Sequence, residues 1–105
     1  MIARIWVGVT PAAKSDKYLD YLHRSGLADY ATIPGHRATY VLRQIENDQA
    51  TFTIITHWDS MDAIKAFAGD NPAVAKYYPE DDDFLLFRNP NVEHYELAWS
   101  SETHQ

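Results

Sequence analysis

The side chains of this chain whose types could do chemistry are two histidines, an arginine and a set of aromatics: His57, His94, Arg4, Trp6, Trp58, Phe67, Tyr77 and Tyr78. An unperturbed imidazole titrates near pH ~6.5, so His57 or His94 can take a proton at neutral pH. Beside an apolar aromatic cavity, such a base would ionise a phenol, and Arg4, on the same strand face as Trp6, would steady the anion. An ionised polycyclic phenol can itself pass an electron to O2. An oxygenase built this way therefore needs an aromatic cavity, a base and oxyanion donors, and no metal or flavin. The bland alternatives are that both histidines sit in the core or at an interface, and that Trp58 and Phe67 simply pack. Tyr77 and Tyr78 are adjacent, so at most one of them faces a given cavity.

Other chemistries find less support. His94 and Glu96 share a strand face, but two ligands do not make a metal site, and neither a cysteine nor an HxxxH motif adds to them. No metal is expected. Glu80, Asp81, Asp82 and Asp83 lack the Gly-punctuated alternation of a calcium loop and read as a solvated loop. No serine lies in a GxSxG elbow, and with four glycines in all there is no phosphate-binding loop.

The elements that must position these residues follow from periodicity. Ile2 to Val9 reads as a strand, stopped by Thr10-Pro11. From about Ala12 to Tyr30, Tyr18, Leu19, Leu22, Gly26, Leu27 and Tyr30 recur at helical steps, with Ser25-Gly26 as a loosening point. His36 to Glu46 and Ala50 to Trp58 are strands joined by Asn47-Asp48-Gln49, a composition suited to a short hairpin loop. Strand alternation sends Phe52, Ile54, Thr56 and Trp58 to one face and Thr53, Ile55 and His57 to the other. Asp59 or Ser60 can cap a second helix whose apolar side is Ile64, Phe67 and Ala68, and Gly69 ends it. Asn71-Pro72 restarts a turn through Tyr78, Phe84 to Phe87 is a hydrophobic plug, and Val92 to Trp99 is the last strand.

The order strand, helix, strand, strand, helix, strand is that of a ferredoxin-like α+β domain, βαββαβ with an antiparallel sheet. It occupies residues 1–99, and 100–105 form a tail. Two helices cover one sheet face, yet neither strand face is plainly polar, so a second copy is expected on the other, giving a homodimeric α+β barrel.

With 105 residues there is room for one core, and with no cysteine there is no disulfide, thiolate metal site or cysteine nucleophile. A formal charge of -6 and only nine scattered basic residues argue against a nucleic-acid partner. No apolar run approaches the ~20 residues of a membrane span, and no charged and apolar leader precedes Ile2. The expectation is a soluble protein of the cytoplasm with no membrane partner.

The run THWDSMDAIKAFAG after a hairpin, together with the Pro34-Gly35 turn, YYPED at Tyr77 to Asp81 and the ending VEHYEL, resembles the antibiotic biosynthesis monooxygenase family of dimeric α+β barrels. The resemblance covers nearly the whole chain. It implies a pocket between helices and sheet in each subunit and the other sheet face in the dimer. The family holds quinone-forming monooxygenases that use no metal or flavin, haem-degrading enzymes and members without assigned activity. In the haem-degrading branch an Asn, a Trp and a His form the site, and Trp6, Phe67 and Tyr77 stand at those positions here, so the iron ligand is missing. The resemblance thus implies oxygenation of a small phenol or quinol without a cofactor, in a pocket lined by Trp6, Trp58, Phe67, Tyr77, Tyr78 and Arg4. The alternative is a non-catalytic protein holding an apolar ligand there.

Overall fold

The computed structural model of the chain describes residues 1–75 and 81–101. Strand β1 (Ile2–Pro11) leads through a 3-10 turn into helix α1 (Ser15–Arg24). The single helix expected from 12 to 30 is broken at Ser25, whose ψ of -103° is far from helical, and it resumes as α2 (Gly26–Tyr30). Ser25 Oγ donates back to the Tyr21 carbonyl at 2.8 Å, the competition with the helix ladder to which serine is prone.

Strands β2 (His36–Glu46) and β3 (Gln49–Trp58) form a long antiparallel hairpin with Glu46 opposite Gln49. The loop is therefore Asn47-Asp48 alone, and Asn47 takes the left-handed conformation at φ 56° that asparagine tolerates well. Near the start of β2, the register shifts between His36 and Ala38. Arg37 is the extra residue of this bulge, and its guanidinium grips the Asp59 carboxylate through two bonds of 2.6 and 2.7 Å. That commits Asp59, and Ser60 alone caps helix α3 (Met61–Ala68), its Oγ accepting from the Ala63 N–H at 3.2 Å. Gly69, at φ 89°, ends that helix.

Beyond it lie a helical turn α4 (Asp81–Phe84) and two short strands, β4 (Phe87–Arg88) and β5 (Glu93–Glu96). The expected hydrophobic plug thus ends as a strand, and the expected Val92-to-Trp99 strand is shorter, although Leu97 N–H still reaches the Met1 carbonyl at 2.9 Å. The sheet order is β2-β3-β1-β4, with β5 also on β1, and every pairing is antiparallel. This is the ferredoxin-like α+β arrangement that the element order predicts.

The helices pack on one face, over a core of Tyr18, Leu22, Tyr30, Phe52, Ile54, Trp58, Ile64 and Phe67. On the far face, Tyr40 (42% exposed), Leu42 (53%), Phe87 (55%) and Tyr95 (51%) stand out from a bed of Ile5, Val7, Val9 and Ile55. That face is apolar although no helix among the described residues covers it. Among the described residues no helix is long and apolar enough to cross a membrane.

Candidate functional site

The pleat of β1 aims Arg4 and Trp6 toward the helices, and there they line a cavity with Tyr18, Leu22, Ser25 and Gly26 from α1 and α2 and the break between them, Tyr30 at the end of α2, Ile54, Phe67 and Asp81. About 420 Å³ of empty space lies inside it when its open mouth is included. The deep part is narrow and takes on the order of three water molecules. Any ring bound there lies against Trp6, Tyr18, Tyr30 and Phe67.

Arg4 is 3% exposed, which for an arginine is unusual unless it is engaged. Its Nη2 donates to the Pro72 carbonyl at 3.4 Å, and its guanidinium carbon lies 5.6 Å from the centre of the Phe67 ring. A permanent cation is thereby held in an aromatic wall, where water screens it little. Burial, and next the nearby Asp81 carboxylate, push the Tyr18 phenol well above its ordinary range. Burial likewise raises Tyr30. Both phenols therefore stay protonated through the neutral range and keep their O–H as a donor.

The position of the Trp6 wall depends on Gly8, two residues along the same strand face. A Cβ on Gly8 would overlap the Trp6 ring, with ring carbons 2.9 and 3.0 Å away and a third closer still. Gly8→Ala is expected to dislodge the indole and to cost about 1–3 kcal/mol by overpacking. A changed near-ultraviolet tryptophan signal together with a lower melting temperature checks this, and a variant identical to the parent in both would refute the seating.

Trp58 lies deeper than the sequence reading placed it. It is wholly buried, edge-on to Tyr30 and His36 and 6.0 Å from Phe67, and its Nε1 donates to Thr56 Oγ1 at 2.8 Å. It does not line the cavity but backs the Phe67 wall. His57 points the other way, onto the apolar face, where its ring meets Tyr40 at 5.4 Å. Adjacent strand residues cannot share a face, so His57 does not reach the cavity of its own protomer. His94 stands opposite Arg4 in the β1–β5 pair but is not in the cavity wall, and its Nε2 is buried with no hydrogen-bond partner among the described residues. Tyr77 and Tyr78 lie outside the described residues. Tyr18, Tyr30 and Asp81 were missed as cavity residues. The tyrosines read as a helix stripe, and Asp81 stood in a carboxylate run read as solvated, whereas its residue is 6% exposed. No group of three metal-ligating side chains occurs among the described residues.

Two histidines make acid stability testable. His94 is lowered from its ordinary pKa by burial and then by the Arg4 charge, and His36, stacked on Tyr30, is lowered by burial. Just below pH 6.5 the unfolded chain holds protons that the folded one refuses, so stability falls as pH drops from about 6.5 through the lowered folded values. Denaturant midpoints measured from pH 7.5 down to 5 should decline, and should decline less in a His36→Gln, His94→Gln variant. An equal slope in both chains would remove these residues as the cause.

No curated protein matches the chain at the sequence level. Among solved structures, a Bacillus cereus protein described as an antibiotic biosynthesis monooxygenase superposes with a TM-score of 0.66 at 14% identity, over 99% of this chain and 97% of that one. The haem-degrader MhuD of Mycobacterium tuberculosis gives 0.65 at 18% identity over 97% and 100%. SnoaB of Streptomyces nogalater, a cofactor-independent oxygenase, gives 0.64 at 13% over 97% and 98%. At such identities the likeness carries the fold alone. The family model for antibiotic biosynthesis monooxygenase, however, matches residues 4–77, which takes in the strand with Arg4 and Trp6, the α1–α2 wall, Ile54 and Phe67. With that match spanning most of the cavity wall and the ferredoxin-like sheet beneath it, the chain belongs to the antibiotic biosynthesis monooxygenase family.

Proposed function

We propose that this protein is a cofactor-independent monooxygenase that oxidises a small phenol or quinol between its helices and its sheet, working as a cytoplasmic homodimer. The observation that carries the reading is a buried arginine set in a cavity of aromatic side chains, Arg4 with Trp6, Tyr18, Tyr30 and Phe67. Stacked aromatics hold a flat ring, and a fixed cation favours the reaction coordinate along which charge leaves that ring for oxygen. Family membership and the fold shared with SnoaB support the same reaction class. The apolar far face supports the dimer, since two such faces remove each other from water.

Haem does not suit these residues. No imidazole lines the cavity among the described residues, and the two phenols that could ligate iron are driven away from ionisation by burial. The test is oxygen uptake by the purified protein with a panel of monocyclic phenols and quinols, corrected for autoxidation, alongside native mass spectrometry. A dimer consuming O2 with one of them at a rate that saturates supports the reading. Tight binding without uptake makes the protein a carrier of apolar ligands instead, and a Soret band on adding haemin would reopen the haem reading.

A further inference from the structure

The cavity stops short although the strand face beneath it continues. On β1 its wall takes in Arg4 and Trp6 but not Gly8 or Thr10. On β3 it takes in Ile54, which stands opposite Trp6, but not Phe52, which stands opposite Gly8. Pleating sends residues 4, 6, 8 and 10 of β1 to the same side, so the space above Gly8 would extend the cavity if it were empty. The Trp6 side chain fills it. The three heavy atoms nearest to where a Gly8 Cβ would stand are Cζ2, Cη2 and Cζ3 of Trp6, the outer edge of its six-membered ring. The indole therefore lies lengthwise along β1 with its tip over Gly8, and it forms the end wall of the cavity on that side. The absence of a side chain at Gly8 is what makes room for it.

Behind this wall the surroundings are apolar. Phe52 is wholly buried with Tyr18 edge-on to it at 5.0 Å, and Phe84 lies 5.5 Å from Tyr18. At the other end of the β1 floor Arg4 is held by the Pro72 carbonyl and the Phe67 ring, so the floor cannot lengthen in that direction. The deep part between these ends takes on the order of three waters, about the space of one six-carbon ring.

We propose that Trp6 sets the size of the ligand, restricting the cavity to a phenol or quinol of one ring and shutting out fused two- and three-ring phenols, which would need the space above Gly8. This rests on the oxygenase reading above for its choice of phenols and quinols, and it deepens that reading by naming the substrate class. The size limit itself is a matter of binding and is decided apart from the reaction. Its signature is distinctive, because burying a second ring is favourable in itself and affinity ordinarily rises with the apolar area removed from water. A preference for the smaller phenol is therefore a steric effect.

The test compares phenol with 2-naphthol by calorimetry. The parent protein is expected to bind phenol about tenfold more tightly, and Trp6→Ala to invert the order, with 2-naphthol preferred by about tenfold. A general loosening of the fold would weaken both ligands without exchanging their order. Trp6→Leu, too short to cover Gly8 but filling more of the wall, is expected to show the same inversion and serves where Trp6→Ala does not fold. A parent that binds 2-naphthol as tightly as phenol, or more tightly, overturns the proposal with no variant needed. Phenol preference retained in either folded variant also overturns it. Oxygen uptake with single-ring phenols and quinols separates the two readings. Uptake by a parent that shows no preference for the single ring overturns the role of Trp6 alone. The preference and its inversion, without uptake by any of these proteins, support the role of Trp6 and overturn the oxygenase reading.

Discussion

Trp58→Ala should be the most damaging single truncation in the chain, lowering stability by about 3–5 kcal/mol. The side chain is wholly buried between Tyr30, His36 and Phe67. Removing it opens a cavity that three rings on three different elements cannot all close, and it takes the Nε1 donor away from Thr56 Oγ1. A domain of this size is stable by roughly 5–15 kcal/mol, so the loss is a large share of the whole and corresponds to a fall of roughly 10 to 30 °C in melting temperature. Trp58→Phe keeps most of the volume and should cost less than half as much. Chemical denaturation of both variants decides the matter: equal, small losses would mean that Trp58 is not the keystone of the core. Phe67 leans on Trp58, so the alanine variant should also bind aromatic ligands more weakly, although Trp58 never touches them.

The second large effect is expected on the opposite side of the sheet. Leu42→Asp places a carboxylate on the apolar face, on the edge strand β2, beside Thr53 in register and between Tyr40 and Gln44 on its own strand. If two copies meet through this face, each would have to bury that charge with no partner, and the dimer dissociation constant should rise at least a hundredfold, about 3 kcal/mol. Within one protomer Leu42 is 53% exposed, so the fold itself should barely change. Ile45→Asp is the matched control, since Ile45 is equally exposed but pairs with Ala50 on the helix side of β2. Sedimentation of the three proteins at several concentrations gives the answer. A Leu42→Asp protein as dimeric as the parent would move the interface elsewhere.

Much of the fold was legible because its signals are local. β-branched runs, the hairpin composition at Asn47-Asp48, the serine cap at Ser60 and the glycine stop at Gly69 all act within a few residues, and each element stands where those signals put it. The break at Ser25 was foreshadowed by Ser25-Gly26. The misplacements come from contacts between distant parts of the chain. The last strand is short, and β4 exists, because β1 offers its free edge to both Phe87–Arg88 and Glu93–Glu96.

The site divides in the same way. Strand alternation alone determined that Arg4 and Trp6 share one face and that His57 and Trp58 part company, because successive side chains on a pleated strand must alternate. It also determined a helix stripe of Tyr18, Leu22 and Tyr30, although not that this stripe walls a cavity. Only the tertiary structure decided which sheet face the helices cover, and with it that His57 is turned away and Trp58 is sealed in the core. It alone drew Asp81 out of a solvent-like acidic run and into the cavity wall, at the head of the turn whose Phe84 packs on Tyr18. Composition assigns a carboxylate to water, and only packing from residues some sixty positions away in sequence, as between Tyr18 and Phe84, can hold one inside.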